Sequence, residues 1–281
     1  MTTLGVIGGG TMGGGIVQVA AQQGLSVILW DVKQQFLDGS LNRIRGFLQR
    51  GVERGRMTQE ELETIMGRIT TTTDYEPLSA ADAVIEAVLE EAVLKQEIFQ
   101  NLDRVCRPGA ILATNTSSLS VTQIAAATNR RQDVVGMHFF NPVPLMALVE
   151  IVQGADTSAE TMDRAVQLAH ELGKTPVRTA DTPGFIVNRV VRPFYNEALR
   201  IMNDGVASYP EIDRIMKGLG FRMGPFELMD LIGNDVNFAV TSTIFNQYFG
   251  EPKFRPAYQQ QRQVQAGALG QKTKRGWYPY E

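Results

Sequence analysis

His138 and Glu150 are the side chains whose types and settings most directly suggest chemistry. His138 closes the apolar run VVGMH and precedes FFNPVP, while Glu150 interrupts the apolar run LVEIV. A neutral imidazole is the usual proton acceptor near pH 7. A carboxylate inside an apolar strand is costly to bury unless something pairs with it. The pairing this suggests places the Glu150 carboxylate on one imidazole nitrogen. It would fix the tautomer and stabilise the imidazolium formed when the other nitrogen takes a proton. The alternatives are a satisfied core histidine and an edge strand with Glu150 in solvent. The other histidine, His170, falls in the last turn of a helical segment, where interaction with the helix dipole accounts for it. A further polar cluster, ATNTSSL at residues 113–119, ends another apolar run with hydroxyl and amide side chains. It suits hydrogen bonds to a ligand, or helix capping by Ser117 or Ser118.

Near the start, Gly8, Gly10 and Gly13 match G-x-G-x-x-G, with Thr11 and Met12 completing the turn. Missing side chains permit a tight turn and close approach of the backbone to a pyrophosphate, and amides at the following helix start face the phosphates. The match alone is weak. Here an apolar strand precedes it, a helical pattern follows, and Asp31 ends a second strand eighteen residues after Gly13. That context predicts a dinucleotide site in which Asp31 accepts hydrogen bonds from a ribose, favouring NAD over NADP. Lys33 and Lys95 leave NADP open, and a helix N-cap is the structural alternative for Asp31.

These residues must be positioned by an alternating pattern of strands and helices. Strands are read at 4–7, 26–30, 83–85, 110–114, 134–137, 148–152 and 176–178. Leu37, Leu41, Ile44, Leu48 and Val52 mark a long amphipathic helix with Arg43, Arg50 and Arg54 opposite, and Leu94, Ile98, Leu102 and Val105 mark another. The implied fold class is α/β: a Rossmann-type, doubly wound, mainly parallel sheet with ligands at the carboxyl ends of its strands. After Asp181-Thr182-Pro183-Gly184 helical periodicity dominates to about residue 266. Residues 1–182 are therefore read as a nucleotide-binding domain and 183–281 as a smaller all-α domain.

The 281 residues carry a net charge of −3, 43% hydrophobic and 20% charged residues, and a single cysteine, Cys106. Such a balance gives no bulk attraction to nucleic acid or anionic membrane. One cysteine excludes an intrachain disulfide framework and a cysteine-rich metal site, and fits a reducing compartment. No metal is expected. The first basic residue is Lys33, and the longest uncharged stretches are rich in Thr, Ser and Asn. The expectation is a cytoplasmic protein without a membrane span.

VIGGGTMGGGI, NTSSLSVTQIA, GMHFFNPVPLMALVEIV, DTPGFIVNRV, GFRMGPFELMDLIGNDV and LGQKTKRGWY occur in this order along the chain. Together they resemble the short-chain L-3-hydroxyacyl-CoA dehydrogenase family, its bacterial 3-hydroxybutyryl-CoA members above all, over essentially the whole chain. The resemblance implies reversible NAD-dependent oxidation of an L-3-hydroxyacyl-CoA, with His138 as base and Glu150 as the acid that orients it. It assigns Ser117 and Asn188 to the substrate oxygen and acyl thioester. It assigns Asp31, Glu90, Lys95, Asn115, Ser117, Asn141 and Lys272 to the cofactor. Family members bind the CoA nucleotide through basic residues on the helix after the second strand; here Arg50 and Arg54, four apart, would clamp phosphates where relatives often carry lysines. A homodimer through the helical domain is also implied. Two rival readings are a β-hydroxyacid dehydrogenase acting on a free acid, whose lysine base the HFFNP and Glu150 pairing disfavours, and a non-catalytic NADH-binding relative.

Overall fold

The computed structural model describes residues 3–281. The chain divides into two compact units, Met1–Thr182 and Pro183–Glu281.

The first unit runs β1 (Thr3–Ile7), α1 (Thr11–Gln22), β2 (Ser26–Trp30), α2 (Gln34–Glu53), α3 (Gln59–Met66), β3 (Ile69–Thr72), β4 (Ala83–Glu86), α4 (Ala92–Val105), β5 (Ile111–Thr114), α5 (Val121–Ala125), β6 (Val134–Phe139), β7 (Leu148–Gln153), α6 (Ala159–Glu171) and β8 (Thr175–Ala180). The strands form one sheet in the order β3-β2-β1-β4-β5-β6-β7-β8. All neighbouring pairs are parallel except β6 with β7. Strand order reverses between β1 and β4, which is where an open α/β sheet leaves a crevice for a ligand. The central strands read as continuous apolar runs because helices cover both faces. Leu4, Val6, Val27, Leu29, Ile85, Ile111, Val135 and Ile151 pack with Ile16 and Ala20 of α1 and Leu37, Ile44 and Leu48 of α2.

Two elements absent from the sequence-based expectation are α3 and β3. β3 is ITTT, an edge strand with no fully buried residue, so it lacks the apolar run that signals a strand. The short α3 opens on a capping box from Thr58 and Glu61. The last strand is also longer than expected, because backbone pairing with β7 extends it to Thr175–Ala180.

The second unit consists of α7 (Val187–Asn203), α8 (Tyr209–Gly218), α9 (Pro225–Ile232), α10 (Asn234–Gln247) and α11 (Tyr258–Gln265), with short bridges near the end of the chain. Proline occupies the first turns of α8 and α9. Its core joins Tyr195 and Leu199 of α7, Ile212 of α8 and Phe226 and Met229 of α9 to Trp277. Buried Asp230 accepts the backbone N–H groups of Trp277 and Tyr278, which ties the chain end to α9.

Candidate active site

β6 and β7 pair in antiparallel register with His138 directly opposite Glu150. Cross-strand neighbours share a face of the sheet, and here His138 Nδ1 lies 2.7 Å from Glu150 Oε2. Both side chains are buried, and β7 is not an edge, since β8 flanks it. An ionised Glu150 accepts from Nδ1–H, which leaves Nε2 as the basic nitrogen of a neutral ring. Phe140 packs on the imidazole with centroids 4.5 Å apart.

The end of β4 carries a second buried acid that sequence reasoning missed. Glu86 accepts from Lys95 Nζ at 2.6 Å, Thr114 Oγ1 at 2.7 Å and the Val88 N–H at 2.7 Å. Lys95, expected from the family resemblance to contact a cofactor, has a fully buried side chain and lies 3.5 Å from Glu90 Oε2. Glu90 in turn gathers the turn after β5, accepting from Thr116 Oγ1 at 2.6 Å and from the N–H groups of Ser117 and Ser118. Burial pushes the Glu90 carboxyl up, but the Lys95 charge and these donors outweigh it and hold it below the usual carboxylate range. The Ser117 hydroxyl also lies 3.3 Å from Glu90. Neither Ser117 nor Ser118 caps a helix; Ser120 caps α5, and Asp181 accepts its hydroxyl and two N–H groups of that turn. Asn115 accepts the Phe139 N–H at 2.9 Å, which joins the end of β5 to the end of β6.

The glycine turn fits a dinucleotide. A Cβ on Gly10 would meet nothing within 4 Å, so the space beside this backbone is open. A Cβ on Gly13 would stand 1.8 Å from the Gly8 carbonyl, so only glycine lets α1 start this close to β1. α1 has no side-chain cap and no acid in its first turn, which favours an anion there. Asp31 does not cap the next helix. Its oxygens accept the N–H groups of Gly9 and Val32, each at 2.7 Å, and the N-cap is Lys33. A cleft of about 740 Å³ is bounded by Gly10, Asp31, Ala87 and Ile98, from both sides of the strand-order reversal. Asn141 lies outside it, on a neighbouring groove with Gly10, Thr11 and Arg50.

Arg50 lies over the Phe47 ring at 5.5 Å and shares a smaller groove with Arg54. In the second unit Asn188 sits at the start of α7, one turn before Arg192. The Arg192 guanidinium donates to Asn188 Oδ1 at 3.5 Å and to the Asn237 carbonyl at 3.0 Å. Burial pushes Arg192 down to about 10. Lys272 is paired with Asp235 at 2.6 Å. Among the described residues no cluster of three or more His, Cys, Asp or Glu could hold a metal, and no helix is long and apolar enough to cross a membrane.

Two family profiles cover the chain: 3-hydroxyacyl-CoA dehydrogenase, NAD binding domain, over residues 3–182, and the C-terminal domain of the same enzymes over 184–280. The chain is 47% identical to 3-hydroxyadipyl-CoA dehydrogenase of Escherichia coli, covering 99% of this chain and 59% of that protein. It is 44% identical to the probable 3-hydroxybutyryl-CoA dehydrogenase of Deinococcus radiodurans, covering 98% of this chain and 99% of that one. The crystal structure of (S)-3-hydroxybutyryl-CoA dehydrogenase from Ralstonia eutropha superposes with a TM-score of 0.96 at 40% identity, covering 100% of this chain and 99% of that one. The chain thus spans little more than half of the first relative and nearly all of the other two. With a Rossmann-type unit, a helical unit and both profiles in sequence, the chain belongs to the 3-hydroxyacyl-CoA dehydrogenase family.

Proposed function

We propose that the protein reversibly oxidises L-3-hydroxyacyl-CoA to 3-ketoacyl-CoA with NAD, and that His138 is its acid and base. The observation that carries this reading is the buried 2.7 Å contact between His138 and Glu150, near the edge of the sheet where β6 ends and β7 begins, the same edge at which β1 runs into the glycine turn. Bound NAD supplies the hydride acceptor, held by the turn from Gly8 to Gly13 and by Asp31. His138 Nε2 takes the proton of the substrate hydroxyl as the hydride leaves the β-carbon, and Glu150 offsets the positive charge that appears on the ring. In the reducing direction the same nitrogen returns the proton. Ser117 and Asn188 hold the substrate oxygen and acyl thioester as charge develops. Glu90 shapes the turn that presents Ser117, Asn115 and Asn141 border the cofactor, and Lys272 approaches it. Arg50 and Arg54 take the phosphates of CoA.

The named substrates of the relatives, hydroxybutyryl and hydroxyadipyl thioesters, share the reacting β-hydroxyl and differ at the far end of the acyl chain. The common part is what His138, Ser117 and Asn188 address. A homodimer through the helical unit accords with exposed Leu231, Ile232 and Val236 on α9 and α10. A cytoplasmic location accords with the single buried thiol of Cys106.

The test is a spectrophotometric comparison of acetoacetyl-CoA, a longer 3-ketoacyl-CoA and one ending in a carboxylate, each with NADH and NADPH. Turnover is expected with NADH and a CoA thioester, and is expected to be lost in His138→Ala with NADH binding retained. Turnover of free 3-hydroxy acids without CoA would move the reading to a free-acid dehydrogenase. Binding of NADH with no turnover of any thioester would make the protein a non-catalytic relative.

A further inference from the structure

Arg43 is the arginine of α2 that reaches the glycine turn. Arg45, two residues on, is committed to Glu63 at 2.6 Å. Among the described residues no carboxylate pairs with Arg43; one Nη donates to the carbonyl of Gly9, inside the glycine turn. The same residue is held through its other peptide group, because the Gly9 N–H donates to Asp31 at 2.7 Å. A guanidinium has five N–H donors, so the turn engages only part of it, and the side chain is exposed.

The helix is built to deliver it there. Long side chains on a helix lean towards its N-terminus and over the residue four before them, which for Arg43 is Gly39. A Cβ at Gly39 would stand 3.4 Å from Arg43 Nη1. The guanidinium therefore lies within van der Waals reach of the Gly39 position as it folds back towards the turn.

Arg43 forms part of two cavities. On one side is the cleft of about 740 Å³ that holds Asp31 and the glycine turn. On the other is a groove of about 420 Å³ that runs past Asn42 and Phe47 to Arg50. Phe47 and Arg50 lead on to the groove that includes Arg54. Positions 43, 47, 50 and 54 are spaced four, three and four apart, so they lie along one helix face. The basic track expected at Arg50 and Arg54 therefore begins two turns earlier, beside the residues that line both cavities, Gly10, Thr11 and Arg43.

We propose that Arg43 is a phosphate-binding residue shared by two nucleotides, the dinucleotide in the cleft and coenzyme A in the groove. The proposal rests on the reading of the protein as a CoA-dependent dehydrogenase. Two anionic ligands that converge on one turn repel each other, and a planar cation between them, able to present N–H groups to both sides, offsets that repulsion. Arg43 thus sets the coupling between cofactor and substrate as well as the affinity for each. A residue that only braced Gly9 would influence the dinucleotide and leave CoA untouched.

Calorimetric titrations of the whole protein decide between these roles. Wild type, Arg43→Gln and Arg43→Lys are titrated with NADH, with free CoA, and with each in the presence of the other, after thermal melts establish that the variants fold. Loss of a charge-assisted contact to each ligand predicts that Arg43→Gln weakens both NADH and CoA by about tenfold. CoA leaves NADH affinity unchanged or improved in wild type and lowers it in Arg43→Gln, with Arg43→Lys between them because it keeps the charge without the fork. An effect on NADH alone, or unchanged coupling in Arg43→Gln, overturns the proposal. If wild type reduces acetoacetyl-CoA with NADH while Arg43→Gln binds both ligands normally, the Arg43 assignment alone fails. If wild type binds NADH but neither CoA nor its thioesters, the dehydrogenase reading fails with it.

Discussion

Replacing Lys95 with methionine removes one half of an ion pair that water does not reach, since the side chains of Lys95 and Glu86 are both fully buried and 2.6 Å apart. The remaining Glu86 carboxylate keeps the Thr114 hydroxyl and the Val88 N–H as donors but loses its only cation within hydrogen-bond distance among the described residues. Breaking a buried pair from one side costs about 3–5 kcal/mol. Unfolding entropy of about 2.1 cal/mol/K per residue, taken over roughly 180 residues, is about 0.4 kcal/mol/K, so Lys95→Met should lower the melting temperature of the first unit by about 8–13 °C. Neutralising the partner tests the electrostatic origin. In Glu86→Gln/Lys95→Met the amide still serves Thr114 and Val88 without a buried charge, and most of the loss should be regained. Differential scanning calorimetry of the three proteins reads this directly. A single variant that melts within about 3 °C of wild type, or a double variant no more stable than the single, refutes the reasoning. NADH affinity of the double variant then separates two roles for Lys95: direct cofactor contact predicts a large loss, whereas action through Glu86 and Glu90 predicts a change of only a few fold.

Glu150→Gln should leave NADH binding intact and reduce kcat by about 10- to 150-fold, the loss that follows from a hydrogen bond to a charged partner of about 1.5–3 kcal/mol; stopped-flow reduction of acetoacetyl-CoA measures it, and a kcat within twofold of wild type would remove Glu150 from the mechanism. Glu90 links the turn at residues 116–118 to pH. A carboxyl held low in the folded state stabilises above its unfolded pKa, about 4.3, and that contribution disappears as pH falls through the lower folded value. Urea midpoints between pH 3 and pH 6 should therefore fall more steeply for wild type than for Glu90→Gln, and equal slopes would show that the Glu90 contacts do not persist in solution.

What was legible in the sequence depended on whether a residue's setting was local. The glycine turn lies between an apolar strand and a helical repeat, so its neighbours in the chain identify it. Glu150 was legible because an acid inside LVEIV calls for a partner, and the antiparallel register of β6 and β7 supplies His138. The same cue stood at Glu86, where AVIE ends on an acid nine residues before Lys95, yet the acid at a strand end reads equally well as solvated. β3 was invisible because ITTT has no apolar alternation, and its pairing with β2 is all that makes it a strand. Asp181 and Arg43 were illegible for a further reason: their partners lie 61 and 34 residues away in Ser120 and Gly9. No periodicity marks such contacts. The residues that a sequence motif names are those that meet the ligand, while those that hold the motif in shape come from distant segments and look like ordinary surface charges. Arg43 joins the two groups, since it braces the turn from the helix that also carries Arg50 and Arg54. Its reach to Gly9 is set by how α2 packs beside the turn, which nothing in the residues around Arg43 announces.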